Sequence, residues 1–355
     1  RKTNILFAIH LPSGALTFPA QPLTIPADAS FFWPFNFDLG KSVTLDWATA
    51  QPLSAIDVGD TRTVFFAETK GVPAQFAFDS SLNITVISGK TTRDNGQIIV
   101  SHAHPGASAA VQIQTDDGTV QIVLLSDAQS LGFWKDGWQG RDRVFLTGAG
   151  LAADGDELRL TSTDRAALNV AVYPAPAAIT LDGRKLRGKS RGIFTAFTRL
   201  EPEKESFHVA LEPIQPAGPP RVIPMGNIRD AVAAAPDDAD FKQAAIWRIK
   251  LPGNFDLTTD PLLRLSYVGD VARVTLNGKL LTDNFYNGTI FEVGLRRYAP
   301  EILTGDLQVE ILPLRKDAPI MLAKQARPDF GNKESIAALD RVEIVPRYQV
   351  ELTAR

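Results

Sequence analysis

The sequence contains no cysteine, two methionines and four histidines among its 355 residues. Without cysteine there are no disulfides, no thiolate metal sites and no cysteine nucleophile. That absence suits an envelope or secreted protein as well as a cytoplasmic one. No apolar run approaches the length of a membrane span. Charge is nearly balanced, with 37 basic against 40 acidic residues, a net charge of -3 and an isoelectric point near 5.9. Such a surface offers no general polyanion-binding field, so nucleic acid is not an expected partner. There is no Walker loop, no dinucleotide fingerprint and no Ser-His-Asp set; Gly148-Ala149-Gly150 lacks the strand–helix context that would give it meaning. A fixed-period repeat is also missing. The chain begins at Arg1 and enters a period-two pattern almost at once (Ile5, Phe7, Ile9, Leu11), so it reads as a piece of something longer.

What is present is strand pattern. The most informative stretch is Leu262 to Tyr298, LLRLSYVGDVARVTLNGKLLTDNFYNGTIFEVGLRRY. Leu263, Leu265 and Tyr267 share one face, with Arg264 and Ser266 on the other. Asp270 turns the chain, Ala272, Val274 and Leu276 alternate again, and Asn277-Gly278 is a strong two-residue hairpin signal. A second turn at Asn287-Gly288 leads to Phe291, Val293 and Leu295. The expected product is antiparallel sheet with one buried face.

The rest of the chain repeats this grammar. Short strands every eight to twelve residues, separated by turn signals, predict an all-β protein of two or three β-sandwich domains. Residues 1–80 read as strands joined by proline-rich connections, and 81–212 as a sandwich interrupted by a short helical segment from Ser126 to Lys135. The proline-rich stretch 213–236 reads as a linker in which Asn227 caps a helix reaching Ala235. A last sandwich over 237–355 closes through Leu307, Val309, Ile311, then Val342, Ile344, and finally Tyr348, Val350 and Leu352.

The run GDVARVTLNGKLL…FYNGTIFEVGLRRY resembles the galactose-binding-like jelly roll near the C-terminus of bacterial glycoside hydrolase family 35 β-galactosidases. PADASFFWPFNFDLG at 26–40, ATAQPL at 48–53, FFAETKGVPAQFAFD at 65–79 and GRDRVFLTGAGLAADGDELRLTST at 140–163 resemble the β region that follows the catalytic barrel in that family, in the same order. The resemblance implies that the last sandwich is a jelly roll of galactose-binding-like type. It also implies a bacterial parent enzyme, periplasmic or secreted, that hydrolyses terminal β-galactosides with retention and without a cofactor. The expected partners are the catalytic barrel of that parent and β-galactoside glycans.

A glycosidase needs two carboxylates, about 5–5.5 Å apart for retention. In family 35 both are glutamates on a (β/α)8 barrel, one of them in an Asn-Glu motif. This chain has no Asn-Glu dipeptide and no alternating strand–helix pattern over the roughly 250 residues a barrel takes. Its acidic residues fall in turns or on outer strand faces. No catalytic residue is named, and the expectation is an accessory, non-catalytic scaffold; the alternative is a free-standing carbohydrate-binding module or surface β-protein.

Binding candidates come from aromatics beside polar groups. Trp134 and Trp138 flank Asp136 and Gly137 in FWKDGWQG, where they either hold a sugar face or pin a helix between sheets. Asp283, Tyr286 and Asn287 form a polar-aromatic loop at the expected jelly-roll rim, or else plug its end. The run Phe31–Phe37 offers a stacking platform or, with bulk on both faces, a strand buried between two layers. His102 and His104 share a strand face by alternation, but no third metal ligand can be named.

Overall fold

In the computed structural model, which describes residues 1–354 except 13, 28, 182, 227–231 and 254–255, strands make up 55% of the chain and helices 7%, so the protein is all-β. The chain divides into two units, Arg1–Glu201 with Gln349–Arg355, and Pro202–Tyr348.

The first unit is a pile of sheets. Its first sheet runs Phe35–Gly40, Val43–Ala48, Gln75–Asp79, Gln97–Ser101, Lys90–Asp94; its second runs Ala50–Val58, Thr61–Glu68, Gly118–Leu125, Ala109–Thr115, Asn83–Val86. Leu45, Phe76, Phe78 and Val100 of the first sheet meet Val64, Phe66, Ile113, Ile122 and Leu124 of the second in one core. The other face of the second sheet is covered as well. Ile56, Phe65, Val123 and Leu125 pack against Val144, Ala171 and Phe194 of a third sheet. The strands Thr61–Glu68 and Gly118–Leu125 are therefore buried without a break over 63–67 and 120–125, and they pair in parallel. One polar knot lies in that layer: Gln121 Nε2 donates to Thr63 Oγ1 at 2.7 Å, and both side chains reach the Tyr173 hydroxyl. On the outer face of the first sheet, the hairpin Lys2–Leu11/Gly14–Ile25 stacks Phe18 on Trp47.

The third sheet runs Phe133–Trp138, Arg141–Leu146, Val170–Tyr173, Phe194–Phe197, Lys189–Arg191; the fourth runs Gly150–Asp154, Glu157–Ser162, Tyr348–Ala354, Ile179–Leu181, Arg184–Leu186. The last strand of the chain thus fills the middle of the fourth sheet, with Val350, Leu352 and Ala354 buried and Glu351 paired to Arg159 at 3.1 Å. This corrects the expectation that Tyr348, Val350 and Leu352 close the last sandwich. Period two marks a strand with one buried face; it does not say which sheet has a position open for it.

Three other expectations change. Residue 80 does not separate two sandwiches, because Gln75–Asp79 pairs with Gln97–Ser101 across it. The helix after Ser126 covers Asp127–Ser130 only. Gly132 follows it with no room for a side chain, since a Cβ there would sit 2.4 Å from the Thr147 oxygen, and the strand Phe133–Trp138 begins. In the aromatic run, 31–34 is irregular rather than a buried strand. Phe31 stacks on Trp33 with ring centroids 4.1 Å apart, Trp33 Nε1 donates to Thr69 Oγ1, and Phe32 and Phe35 stay exposed.

The second unit is a jelly roll. One sheet runs Phe207–His208, Ala338–Val345, Leu262–Val268, Phe291–Gly294; the other runs Ala210–Gln215, Ala245–Lys250, Leu307–Ile311, Val271–Leu276, Lys279–Phe285. The first and last strands lie side by side, and from Ala245–Lys250 onward the chain crosses between the two sheets at each connection except the hairpin Val271–Leu276/Lys279–Phe285, which is jelly-roll winding. Leu263, Leu265, Val274, Leu276, Val293, Val309, Ile311, Val342 and Ile344 fill the space between. Asn277 (φ 52°) and Gly278 (φ 75°) form the expected hairpin turn. Of the helix expected over Asn227–Ala235, 227–231 lies outside the described residues, and Ala233 makes a β-bridge with Met225.

Candidate functional site

A groove of about 670 Å³ opens in the first unit. Its shape follows from three local features. The Ser126 side chain caps the helix Asp127–Ser130 by accepting from Gln129 N, and Gln129 Oε1 accepts from Ser126 N in return, a capping box. The Asp164 side chain caps the short helix Arg165–Leu168 on the facing wall. Small residues line the groove, Gly132, Gly148, Ala149 and Gly150 between the helices and Ala166 and Ala167 on the second helix itself. Thr147 secures it, donating from Oγ1 to Ala167 O at 3.2 Å and accepting from Ala149 N at 3.1 Å.

Trp134 stands on the rim, 39% exposed. Around it the polar groups are neutral or cationic: Gln129, Thr147, Asn169, Thr198 and Arg191. Gln129 uses its oxygen in the cap, which leaves its amide nitrogen as a donor. Asn169 donates from Nδ2 to Ala166 O at 2.8 Å, which leaves its oxygen as an acceptor. A flat indole with donor and acceptor amides in the same groove can hold a pyranose, whose C–H face is apolar and whose hydroxyls both give and accept. Among the described residues no carboxylate lines this groove.

Trp138 does not join Trp134. It is fully buried, packed against Phe145 at 6.0 Å between ring centroids, with its carbonyl accepting from Arg143 Nε. Both residues lie on one strand four positions apart, but Trp134 sits at the open end of the layer and Trp138 inside it. The expected pair is therefore a single exposed tryptophan.

In the second unit, the loop around Asp283, Tyr286 and Asn287 divides its side chains. Tyr286 is half-buried, its ring 5.6 Å from that of Tyr267 and edge-on to it. Burial pushes its hydroxyl pKa up, and the negative charge of Asp340 adds to this. Asn287 spends its oxygen on Thr289 N and Thr289 Oγ1. Asp283 is exposed on an edge strand opposite Arg273. Tyr286 is a plug and Asn287 a turn former, leaving Asp283 as the group facing water. Tyr267 holds this end together by donating its hydroxyl to Asn284 O and Asn284 Oδ1.

Among the described residues two carboxylates are raised above their ordinary values, and they lie in different units. Burial raises Asp46, although Gln97 Nε2 donates to it at 2.6 Å. Burial also raises Glu310, against the opposing pull of Arg273. The histidines at 102 and 104 lie past the end of the strand Gln97–Ser101, with His102 at φ 56° and its Nδ1 3.0 Å from Ser101 Oγ. Among the described residues no group of three potential His, Asp or Glu metal ligands gathers.

No protein-family model matches this chain, and no curated protein does. Ten solved chains match it. One is the rhamnosidase from Novosphingobium sp. PP1Y, at 13% identity and a TM-score of 0.25, covering 68% of this chain and 27% of the rhamnosidase. The chain thus spans about a quarter of that protein's length.

Proposed function

We propose that this chain is a non-catalytic, saccharide-contacting β-sandwich region of a glycoside hydrolase of the β-galactosidase kind, with terminal β-galactosides as the parent's substrates. The observation that carries the saccharide contact is Trp134, an exposed indole in a groove whose lining also holds the unspent amide groups of Gln129 and Asn169. Support for the parent enzyme comes from the sequence runs at 26–40, 48–53, 65–79, 140–163 and 269–298, which resemble the accessory region of family 35 in the family's order. Sheets stacked over shared apolar cores make a rigid scaffold on which such a groove keeps its shape.

The test has two arms. Calorimetric titration with neutral β-galacto-oligosaccharides is expected to show binding that Trp134→Ala weakens about tenfold or more, the scale of a lost aromatic platform. Hydrolysis of a chromogenic β-galactoside is expected from a mixture with a family 35 barrel and not from this chain alone. Turnover by the chain alone would overturn the non-catalytic reading, and silence toward every β-galactoside would overturn the binding one.

A further inference from the structure

A second cavity in the first unit, about 530 Å³, surrounds the turn between the strands Phe133–Trp138 and Arg141–Leu146. Gln139 and Gly140 both have positive φ there, 54° and 63°, as the tight hairpin turn requires. Arg141, Arg143 and Asp156 are the charged groups in its lining, with backbone from Pro174 to Ala177 opposite.

Arg143 is the unusual member. It is 4% exposed and pairs with no carboxylate among the described residues. Its Nε donates to Trp138 O at 3.2 Å and its Nη1 to Pro174 O, while the guanidinium lies 5.7 Å from the Trp138 ring centroid. Those contacts fix the fork and leave Nη2 without a protein acceptor among the described residues. The acids nearest in sequence are used elsewhere. Asp142 pairs with Lys135 at 3.2 Å, and Asp136, opposite Arg143 in register, accepts from Gly137 N. Burial, followed by the neighbouring charge of Arg141, holds the Arg143 pKa below the ordinary arginine value. A cation taken out of water without a counter-ion is a costly arrangement unless an anion completes it. Among the described residues Arg141 is exposed and forms no ion pair, and Asp156 pairs with neither arginine, so the described lining of the cavity holds two cations against one carboxylate.

We infer that this cavity is an oxyanion site, in which Arg143 supplies a fixed donor edge and Arg141 a mobile one to a carboxylate or sulfate group. Charge-assisted bonds from a preset guanidinium suit such planar or tetrahedral oxyanions, and the volume lies within the roughly 300–1,000 Å³ of small-molecule pockets. That the oxyanion is carried by a glycan, as a uronic acid or a sulfate ester, rests on the saccharide reading above; the oxyanion site itself does not.

The experiment titrates the chain with inorganic sulfate, a galacturonate oligosaccharide and a neutral galacto-oligosaccharide, each at low and high sodium chloride. The expected result is saturable binding of at least one of the two anions, weakened by salt and reduced about tenfold or more by Arg141→Ala and by Arg143→Lys. Circular dichroism reports whether Arg143→Lys folds, and if it does not, Arg141→Ala decides alone. Sulfate binding without galacturonate identifies a sulfate site, and the reverse identifies a uronate site. No binding of either anion, or anion binding untouched by Arg141→Ala, overturns the inference. Neutral oligosaccharide that fails to bind sinks the saccharide reading and leaves the oxyanion result standing.

Discussion

Arg221 donates from Nε to Asp270 Oδ2 at 2.7 Å, with the two side chains 5% and 4% exposed. Arg221 belongs to the proline-rich stretch, and its Nη2 also donates to Ala234 O at 3.1 Å. Asp270 turns the chain between the strands Leu262–Val268 and Val271–Leu276, where its N–H donates to Leu312 O and its carbonyl accepts from Tyr286 N. The pair fastens an irregular segment to the turn that carries the chain from one jelly-roll sheet to the other. Removing one partner leaves a buried charge uncompensated, so Arg221→Ala is expected to cost about 3–5 kcal/mol in urea unfolding of the second unit. The double variant Arg221→Met/Asp270→Leu is expected to recover most of that loss. A single variant as stable as the parent would mean that the pair is not desolvated.

The two tryptophans of FWKDGWQG separate binding from stability. Trp138→Ala removes a fully buried side chain and is expected to destabilise the first unit by about 3–5 kcal/mol. Trp134→Ala removes a half-open one and is expected to leave the melting temperature within a few degrees while lowering galacto-oligosaccharide affinity. Thermal melts and calorimetry on both variants check this, and a reversal of the two stability effects would contradict the burial described here.

The C-terminal strand offers a test of topology. Leu352→Ala is expected to cost about 2–5 kcal/mol. The loss of amide protection should fall on Glu157–Ser162 and Ile179–Leu181, the two strands that flank Tyr348–Ala354, rather than on Leu262–Val268. Hydrogen exchange resolved by peptide reads it directly. Exchange raised in the jelly-roll core instead would return this strand to the last sandwich.

Two carboxylates of the jelly roll should respond to pH with opposite sign. Burial raises Glu310 above its ordinary 4.5, so the folded state holds its proton more tightly than the unfolded state. Stability is then lost as pH rises from the ordinary value through the raised one, and Glu310→Gln should stabilise at neutral pH and do nothing in acid. The hydrogen bond from Arg248 lowers Asp306 below its ordinary 3.8. Its contribution is complete above that value and is lost as pH falls through the lowered one, so Asp306→Asn should destabilise at neutral pH and fade in acid. Chemical denaturation at pH 7 and below pH 4 measures both differences.

What the amino-acid order determined alone was local. Asn277-Gly278 closes its hairpin because two adjacent residues that tolerate positive φ set that geometry by themselves. Ser126 and Gln129 cap their helix across three residues of chain. Period-two runs such as Leu263, Leu265, Tyr267 and Tyr348, Val350, Leu352 declared strands and an all-β class wherever one face had to be buried. The tertiary structure decided what those strands were for. It placed Tyr348–Ala354 in the fourth sheet, opened the groove beside Trp134, closed the layer over Trp138 and left Arg143 inside without a counter-ion among the described residues. Backbone conformation at a turn depends on the few residues that make it. Exposure and pairing depend on which distant segment arrives at the other face, and one strand's alternation is compatible with many such neighbours.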